Sequence, residues 1–596
     1  MPYTALILAA GYGNRMKPLT LNKHKSLIKV ADKPILMRII ENLIDYKIKD
    51  FCIVTGYREF EIKEFIKENY PELNFQFIHN MDFDKTNNIF SLSLALEQLN
   101  KEQNIILIES DLIFKKEVLG KLINSHFDNA ALISKYELGM DGTVIGKSGS
   151  KINAVYPPHL HDNKFNYSDK YKTLNIYKFS KEFAFGDFKN FIKFYSSMVD
   201  KSCYYELILG IVIYMNRENI YSVEVDSFDW AEVDDPNDLS SAEYLFNKNN
   251  RLKILENSHG GYWNYPINDY TFIRNPYYPT QSMISNMKDY FENLIFNYGS
   301  SQLILNQKMA YLEKIDKVFT IALSGAAQIY PIIANYFKYK KVAIPDVSFG
   351  EYKRIFSNLI VYRDMLNEGK NIEESIIEAD LICFINPNNP SGKILRSKYI
   401  ADLIEKNPNK MFLVDESFID YSEESSIFGT VKETSKNFII LKSLSKAYGV
   451  PGLRLGYVYT KNLNLYQYIS DNLPIWGINS LAENFLEISL KYREDLKKSF
   501  ERSKVDRQYL VANLEKIPFI NKVFESHSSF VTFSIEDSFW SLNLRTYLIN
   551  KFNIYLKEIL INDDTSIKYF RVALTDMKGI DFFIDSLKKY LISKKI

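Results

Sequence analysis

The chain has 596 residues, of which 46% are hydrophobic and 25% charged, an ordinary globular composition. This length exceeds what a single hydrophobic core usually organises, so we expect two or more domains. Its 74 basic and 73 acidic residues give a net charge of about +1, which offers no electrostatic case for binding nucleic acid or an acidic membrane. Three isolated cysteines without a CxxC pair argue against a disulfide framework or zinc site and favour a cytoplasmic location.

The first predicted element is a buried parallel strand over residues 4–10, a continuous apolar run. No basic region precedes it and Gly11 follows at once, so we expect no signal peptide. We also expect no membrane insertion, because no apolar run approaches the ~20 residues needed to cross a bilayer. In the next segment, Gly11 and Gly13 let backbone N–H groups approach a phosphate, and Arg15 and Lys25 add positive charge.

This segment, LAAGYGNRMKPLT followed by Lys25 and by KPIL at 33–36, resembles the sugar-phosphate and phosphocholine nucleotidyltransferases. The resemblance implies a doubly wound α/β domain that transfers a nucleoside monophosphate from a nucleoside triphosphate. Arg15 and Lys25 would serve catalysis by neutralising charge. The implied nucleotide-binding residues are Leu8, Ala10, Gly11, Gly13, Arg15 and Lys25. One departure is His24, which stands where the family usually has proline.

Strand and helix patterns then alternate, as in a doubly wound sheet. A strand over 50–55 ends at Gly56-Tyr57, a natural place to receive a nucleobase. The segment TNNIFSL at 86–92 resembles choline-phosphate-type cytidylyltransferases, which implies CTP as the nucleotide and Asn88 as the reader of a pyrimidine edge. The alternative is that Asn88 is a helix N-cap.

Two aspartates are predicted to hold Mg²⁺. Asp111 follows an apolar strand over 104–108, and Asp234 lies in WAEVDD, which resembles the family's WxExD ending. Carboxylates from two strand ends can hold the ion against a triphosphate. Between them, MDGTV at 140–144 resembles phosphonate-type cytidylyltransferases, implying that Asp141 pairs with an ammonium group of the acceptor. A type I′ turn at Asp-Gly is the alternative.

The predicted domain boundary lies near residue 250, within a polar, helix-forming stretch at 239–255. No Pro-rich or Ser-rich linker is present there, so we expect a short, fairly stiff connection. The predicted domains are a CTP-dependent nucleotidyltransferase over 1–248 and a second domain over 249–596.

The second half opens with HGG at 259–261 and continues with NPYYP at 275–279 and PNNPSG at 387–392. These motifs resemble the threonine-phosphate decarboxylases and histidinol-phosphate aminotransferases, which are fold type I pyridoxal phosphate enzymes. The resemblance implies an aminotransferase domain that forms a homodimer, in which Tyr278 reaches the cofactor phosphate of the partner subunit. A tyrosine packed in a turn is the alternative.

The segment SLSKAYGVPGLRLG carries the cofactor lysine. Lys446 lies between small hydroxyl residues and can form a Schiff base with an aldehyde cofactor, while Arg454 can hold its phosphate. By resemblance, Asp415 would pair with the pyridinium nitrogen, Asn389 with the 3′-oxygen, and Phe349 would stack on the ring. The full set of implied cofactor-binding residues is Gly325, Ala326, Phe349, Asn389, Asp415, Ser443, Ser445, Arg454 and Tyr278.

Two further cations are predicted to bind the substrates of this domain. Arg571 would bind the carboxylate of an amino-acid donor, and Lys557 stands where histidinol-phosphate enzymes have a phosphate-binding arginine. Lysine supplies a point charge without a bidentate fork, which suits a phosphate or phosphonate end. Phe418 replaces the tyrosine usual in aminotransferase relatives and resembles the decarboxylase branch, so transamination and decarboxylation both stay open.

Taken together, the two halves predict consecutive steps of phosphonate biosynthesis. The second half would transaminate phosphonoacetaldehyde to 2-aminoethylphosphonate, and the first would couple this amine with CTP and release pyrophosphate. The alternative keeps the architecture and changes the substrate to phosphoethanolamine, serinol phosphate or phosphocholine. A non-catalytic sensor is disfavoured, because the sequence has no basic helix-turn-helix and retains Lys446 and the Asp111/Asp234 pair.

Overall fold

The computed structural model describes residues 3–162, 164–367, 369–561 and 567–594. Contacts divide the chain into two compact units, Met1–Pro266 and Ile267–Ile596. The predicted boundary at 248/249 therefore lies inside the first unit, 18 residues too early (266 − 248). The physical reason is Arg251, a buried residue whose guanidinium donates to the carbonyls of Tyr244 at 2.8 Å and Leu245 at 3.0 Å. These bonds attach the helix after the predicted boundary to the helix before it.

The first unit is built from thirteen strands and nine helices within its described residues. The strands are β1 Tyr3–Ala9, β2 Lys29–Val30, β3 Lys33–Pro34, β4 Asp50–Thr55, β5 Asn74–His79, β6 Asn104–Glu109, β7 Leu112–Phe114, β8 Ala130–Lys135, β9 Val144–Ser148, β10 Lys151–Tyr156, β11 Tyr171–Phe179, β12 Tyr221–Glu224 and β13 Trp230–Glu232. The helices are α1 Ile35–Asp45, α2 Glu59–Asn69, α3 Asn88–Gln98, α4 Lys116–Ile123, α5 Lys181–Phe183, α6 Lys189–Met198, α7 Glu206–Tyr214, α8 Pro236–Phe246 and α9 Arg251–Ser258.

A nine-stranded sheet organises this unit, in the order β5-β4-β1-β6-β11-β8-β12-β10-β9. Strand β1 lies parallel to both β4 and β6, with Leu6 opposite Cys52 on one side and Leu107 on the other. Alternate residues of β1 enter two hydrophobic cores: Ile7 belongs to one and Leu8 to the other. Burial on both faces explains the continuous apolar run of this strand and confirms the predicted doubly wound domain.

The second unit has thirteen strands and thirteen helices within its described residues. The strands are β14 Asn268–Asp269, β15 Thr320–Leu323, β16 Val342–Pro345, β17 Leu359–Tyr362, β18 Leu381–Ile385, β19 Met411–Asp415, β20 Phe438–Ser443, β21 Gly456–Tyr459, β22 Lys522–Val523, β23 Phe530–Ile535, β24 Ile554–Tyr555, β25 Lys557–Ile559 and β26 Lys568–Ala573. The helices are α10 Gln281–Phe296, α11 Gln302–Glu313, α12 Tyr330–Tyr336, α13 Gly350–Ile355, α14 Ile372–Glu378, α15 Ser397–Lys406, α16 Leu444–Ala447, α17 Leu463–Asp471, α18 Ser480–Ser489, α19 Arg493–Leu514, α20 Ser538–Ser541, α21 Leu544–Phe552 and α22 Met577–Lys594.

The main sheet of the second unit has seven strands in the order β15-β21-β20-β19-β18-β16-β17. Strand β21 is antiparallel to both β15 and β20, while β16, β17, β18, β19 and β20 are all parallel to one another. A separate four-stranded sheet, β22-β23-β26-β25, packs on its own hydrophobic cluster with α21 and α22. Because parallel strands end at the same edge, Gly325, Asp415 and Lys446 follow strand ends at one edge of the main sheet.

Across the described ranges, none of the helices is both long and apolar enough to cross a bilayer.

Candidate active sites

A cavity of about 520 Å³ lies at the carboxyl edge of β1 and β6 in the first unit, a size typical of small-ligand sites. Every site residue predicted in this half lines it. These residues are Leu8, Ala10, Gly11, Gly13, Arg15, Lys25, Asn88, Asp111, Asp141 and Asp234. The cavity therefore brings the glycine loop, the two cations and the carboxylates together.

The glycine loop is held in shape beside Lys25. Gly13 has a φ of 63°, in the left-handed region, and a Cβ there would lie 3.0 Å from Cγ2 of Thr20 and 3.3 Å from Cβ of Lys25. The Thr20 hydroxyl donates to the Gly13 carbonyl at 2.8 Å. A side chain at position 13 would be both strained and crowded, so glycine is needed for the close approach of the loop to Lys25.

Lys25 and Arg15 form ion pairs that cross the cavity. The Lys25 Nζ lies 2.8 Å from Oδ2 of Asp111 and 2.5 Å from Oδ1 of Asp234. The Arg15 guanidinium lies 2.7 Å from Oδ2 of Asp234 and 2.9 Å from Oδ2 of Asp141. Burial alone lowers the pKa of Lys25, but the Asp111 and Asp234 carboxylates outweigh it and raise this pKa above its ordinary value. Lys25 is therefore an ammonium, with a charge suited to a triphosphate.

The carboxylates at this edge fit a divalent cation. Oδ1 of Asp111 is buried and has no hydrogen-bond partner among the described residues. Carboxylate oxygens of Asp141, Glu232 and Asp234 lie within 4.8 Å of one another, and such oxygens are the ligands that Mg²⁺ takes in proteins. Asp234 belongs to both the predicted pair and this group, whereas Glu232 was not predicted. A bound Mg²⁺ would supply charge neutralisation next to the phosphates.

Asn88 is not the N-cap of α3, and its hydrogen bonds bear on the predicted role in nucleotide binding. The N-cap of α3 is Asn87, whose Oδ1 accepts from the Asn88 N–H at 2.8 Å. The Asn88 amide instead donates to Glu109 at 3.0 Å and Glu206 at 3.4 Å, and its oxygen accepts from the Tyr205 N–H at 2.9 Å. Because these contacts occupy the amide, its hydrogen bonds tie α3 to α7 and give no support to reading a pyrimidine edge.

Three glutamates and a lysine form an acidic wall that the sequence interpretation missed. Glu109, Glu206 and Glu232 all line the cavity, and the buried Lys172 lies 3.1 Å from Glu232. Burial, reinforced by neighbouring carboxylates, raises the pKa of Glu109 well above its ordinary value and that of Glu232 to about 7. Burial also raises the pKa of Glu206. The one sequence feature that could have pointed to Glu206 is that it is a lone charged residue in the otherwise apolar α7.

In the second unit, Lys446 lies in α16, directly after β20. Burial lowers its pKa to about 8, helped by the positive charges of Arg571 and Arg454 and opposed by Asp415. A lysine with a lowered pKa keeps a larger neutral fraction, which is the form that attacks an aldehyde. The environment therefore fits the predicted Schiff-base lysine.

Asp415 ends β19 as a buried carboxylate. Its Oδ2 accepts from the Tyr352 hydroxyl at 2.7 Å, and its Oδ1 accepts from the Ser417 hydroxyl at 2.6 Å and N–H at 3.0 Å. Burial raises the pKa of Asp415, opposed by these hydrogen bonds. Tyr352 and Ser417 thus orient the predicted pyridinium partner, and sequence motifs did not identify either of them.

The predicted substrate cations cluster beside Asn389. The Arg571 guanidinium donates to Oδ1 of Asn389 at 2.7 Å and to the Thr271 carbonyl at 2.6 Å. Its Nε is buried without a hydrogen-bond partner in the described part of the chain. Lys557 lies opposite Arg571 in the β25–β26 register, which places their Cβ atoms about 4.5–5.5 Å apart. Arg571 and Lys557 therefore lie on one face of this sheet, with Asn389 bonded to Arg571, an arrangement suited to an anionic substrate.

Four of the predicted cofactor residues fit a phosphate. Gly325 has a φ of 74°, and a Cβ there would lie 2.6 Å from Nη2 of Arg454. Ala326 begins the short helix that follows. The Ser445 Oγ is buried without a hydrogen-bond partner among the described residues. A guanidinium, a free hydroxyl and helix N–H groups around an open glycine are the donors that a phosphate needs.

The other residues predicted to bind the cofactor differ in how well their surroundings fit that role. The Ser443 N–H donates to the Ser417 hydroxyl at 3.0 Å, so its backbone joins the Asp415 network. Phe349 is 40% exposed, with its ring 6.3 Å from that of Tyr330, and so presents an open face. Phe418 is buried against Phe530 at 5.5 Å, and phenylalanine supplies no hydroxyl at this position.

The structure corrects the predicted role of Tyr278. This residue is 2% exposed and packs in the core of its own chain, with its ring 5.9 Å from Tyr448 and 6.4 Å from Phe485. A side chain enclosed by its own core does not project toward another subunit. The packed tyrosine considered as the alternative is the arrangement observed.

Comparison with known proteins identifies both units. Residues 265–587 match the family of aminotransferases of class I and II, and residues 4–139 match the nucleotidyl transferase family. The chain therefore belongs to the class I and II aminotransferases and carries a nucleotidyl transferase domain ahead of that region. It is an enzyme with two transferase domains, the second of the fold type I class that uses pyridoxal phosphate.

Particular relatives cover one or both units. The CMP-5'-(3-aminopropyl)phosphonate synthase of Streptomyces rubellomurinus is 26% identical over 94% of this chain and 90% of its own length. A histidinol-phosphate aminotransferase of Clostridium novyi is 30% identical over 45% of this chain and 68% of its own. A putative threonine-phosphate decarboxylase of Caldanaerobacter subterraneus is 28% identical over 48% of this chain and 80% of its own.

Proposed function

We propose that this chain is a bifunctional enzyme of phosphonate biosynthesis. Its second unit transaminates phosphonoacetaldehyde to 2-aminoethylphosphonate, and its first unit couples that amine with CTP to give CMP-2-aminoethylphosphonate and pyrophosphate. The relative from Streptomyces rubellomurinus, similar over both units, is named for the same kind of head group with one more methylene. That similarity supports the class of product, and the length of the carbon chain is the point to test.

The observation that carries the proposal is that one side of the first cavity is cationic and the other is lined by buried carboxyl groups, whose ionisation an ammonium beside them would favour. The glycine loop, Arg15 and Lys25 provide positive charge, whereas Glu109, Glu206 and Glu232 line the same cavity with carboxyl groups. An aminoalkylphosphonate carries an anionic group at one end and an ammonium at the other. Its phosphonate suits the cationic side and its ammonium the acidic side, and Asp141 is a further carboxylate at that cavity.

The reaction proposed for the first unit is an in-line displacement. A phosphonate oxygen attacks the α-phosphorus of CTP, a new P–O bond forms, and the bond to pyrophosphate breaks. The phosphonate oxygen is already anionic, so no base is required. Lys25 and Arg15 neutralise the charge that develops on the phosphate oxygens, which is the usual protein contribution to such a transfer. Asp111 and Asp234 are proposed to hold Mg²⁺.

In the second unit, pyridoxal phosphate supplies an electron sink when it is bound. Lys446 is proposed to hold the cofactor and then, as general base, to move the proton at the donor's Cα. Arg571 binds the donor carboxylate, and Lys557 receives the phosphonate of the aldehyde. The amino group leaves the donor as a 2-oxo acid forms, and the second half of the cycle delivers it to phosphonoacetaldehyde.

The partner proposed for the second unit is a second copy of this chain. Phe296, Tyr298 and Trp476 are 78%, 80% and 52% exposed, and the rings of Tyr298 and Trp476 stack at 4.5 Å. A cluster of exposed aromatic residues is typical of an association surface.

The three cysteines are free thiols, which suits the reducing cytoplasm proposed as the location.

The first-unit activity is tested with CTP, Mg²⁺ and a panel of acceptors, by measuring pyrophosphate release. We expect 2-aminoethylphosphonate to give the highest kcat/KM, ahead of 3-aminopropylphosphonate, phosphoethanolamine and phosphocholine. A preference for 3-aminopropylphosphonate would correct the chain length alone. Clear superiority of phosphoethanolamine or phosphocholine would overturn the phosphonate proposal.

The second candidate for the second unit is decarboxylation, which Phe418 favours because it lacks the hydroxyl found in most aminotransferase relatives. The two reactions are separated by their products. Phosphonoacetaldehyde with an amino-acid donor should give 2-aminoethylphosphonate and a 2-oxo acid. Release of CO₂ from phosphoserine, without amino transfer to the aldehyde, would establish the decarboxylase instead.

A further inference from the structure

The second unit opens with a segment, residues 268–275, that contacts both the predicted substrate-binding Arg571 and the turn of the predicted cofactor lysine, Lys446. We call it the strap. It begins as β14, which pairs with β24 through Asn268 and Ile554. The strap ends at Asn275, which is buried. Between these points it contacts the elements that carry Arg571 and Lys446.

Asn275 hydrogen-bonds the turn that carries Lys446. Its backbone N–H donates to the Lys446 carbonyl at 2.9 Å. Its side-chain amide donates to the Ala447 carbonyl at 2.9 Å and to the Ser499 hydroxyl at 2.7 Å. Its Oδ1 accepts from the Tyr277 N–H at 3.0 Å. Every polar group of the side chain is thus used. Of the four hydrogen bonds that the backbone N–H and side chain of Asn275 make, two end on the turn that carries Lys446.

A second buried group contacts the same carbonyl. The Tyr421 hydroxyl donates to the Lys446 carbonyl at 2.9 Å, so two donors from distant parts of the chain meet on one backbone oxygen. The α16 helix that contains Lys446 has four residues. A helix this short has little internal hydrogen bonding, so its position depends on such outside contacts.

The strap also holds Arg571. The Thr271 carbonyl accepts from the Arg571 guanidinium at 2.6 Å. That carbonyl lies in a turn in which Oδ1 of Asp269 accepts from the Thr271 N–H at 2.8 Å and from its hydroxyl at 2.6 Å. One short segment therefore links the turn of Lys446 to the guanidinium of Arg571, although Lys446 follows a strand of the main sheet and Arg571 lies in the four-stranded sheet.

We propose that Asn275 is a positioning residue of the second active site, which holds the Lys446 turn and, through the strap, fixes it relative to Arg571. The inference rests on the proposed role of Lys446. Loss of the Asn275 amide leaves the Ala447 carbonyl unpaired and lets the turn move. Displacements of about 1 Å can lower the rate of an enzyme by about 100-fold, so a structural change this small has a measurable effect.

The test compares Asn275→Ala and Tyr421→Phe in the full-length holoenzyme. We expect kcat of amino transfer to fall about 10- to 100-fold for Asn275→Ala and less for Tyr421→Phe. The second readout is the pH midpoint of the visible absorbance of bound pyridoxal phosphate. Burial is the largest cause of the lowered pKa of Lys446, and the charges of Arg571 and Arg454 lower it further while Asp415 opposes them. Moving the Lys446 nitrogen away from the two guanidinium groups should therefore raise the pH midpoint of the absorbance by ~0.5 pH unit or more.

Asn437→Ala is the matched control. The Asn437 amide donates to three backbone carbonyls, those of Ile404, Asn407 and Lys410. It precedes β20 at the end opposite Lys446, about 20 Å away along the strand. This variant should lose stability without a change in the midpoint.

Two results would overturn the inference. In the first, the pH midpoint of the absorbance is the same in Asn275→Ala and Tyr421→Phe as in the unmodified enzyme and the Asn437→Ala control. The other is a loss of kcat that merely follows the loss of folded protein. Failure of the proposed function is distinguishable, because the unmodified enzyme would then show no Schiff-base absorbance with pyridoxal phosphate, or would keep that absorbance when Lys446 is replaced.

Discussion

Replacing Lys172 by methionine tests the electrostatics of the acidic wall. Lys172 is 1% exposed and lies 3.1 Å from Glu232, with Glu206 and Glu109 among the carboxylates that raise its pKa. Removing one partner of a buried pair costs about 3–5 kcal/mol. For a unit of this size, each kcal/mol lowers Tm by about 2–4 °C, so we expect a fall of about 6–20 °C.

The pH dependence of that loss follows from the raised pKa of Glu232. A carboxyl group whose pKa is about 7 in the folded chain and near 4.5 in the unfolded chain binds more protons when folded. Its ionisation therefore destabilises the fold progressively as pH rises from about 4.5 to about 7, and the loss is complete above that range. Lys172 lowers the pKa of Glu232, so removing Lys172 widens the pH range over which ionisation of Glu232 destabilises the fold. The Lys172→Met variant should be closer to the unmodified enzyme at pH 5.5 than at pH 8.

Thermal unfolding followed by circular dichroism at the two pH values measures this effect. The control is Lys181→Met, because Lys181 pairs with Glu102 at 2.8 Å on the exposed surface, where such pairs contribute about 1 kcal/mol or less. Equal losses for Lys172→Met at pH 5.5 and pH 8, or a loss no larger than that of the control, would refute the reasoning.

Three further substitutions probe the two sites. Glu206→Gln should raise KM for 2-aminoethylphosphonate about tenfold, the effect of losing one charge-assisted contact, and leave KM for CTP unchanged; steady-state pyrophosphate assays with each substrate varied would expose equal effects on both. Lys25→Ala should lower the rate of cytidylyl transfer by about 100-fold or more, since it removes charge stabilisation of the transferring phosphate, while amino transfer by the same preparation is retained as the internal control. Lys446→Ala should abolish the imine absorbance of bound pyridoxal phosphate and amino transfer while pyrophosphate release continues; parallel loss of both activities would contradict two independent sites.

Local motifs identified the parts of each site that follow a strand directly. Gly13, Asp111, Asp415 and Lys446 each lie within a few residues of a strand end, so parallel strands bring them to one edge of a sheet. For such residues the spacing along the chain determines the position in the fold. This is why Gly13 and Asp111 reach the same cavity of the first unit.

The outcome for Tyr278 shows a property that spacing does not determine. A turn motif predicts that a tyrosine lies near the site, but not which way its ring points. The direction depends on Tyr448 and Phe485, which belong to segments far along the chain. The domain boundary was misplaced for a similar reason, because the polar stretch around residue 250 is joined to the first unit by the buried Arg251.

The acidic wall explains why the acceptor end of the first site was the hardest part to predict. Glu109, Glu206 and Glu232 come from β6, α7 and β13, and the contact that joins Asn88 to Glu206 spans 118 residues of sequence. None of these side chains lies in a phosphate-binding loop. Their function arises from shared burial, which raises the pKa of each of the three glutamates. A cationic group placed beside them would offset that burial, so the same feature that escapes a motif search is the one that we propose selects an amine as acceptor.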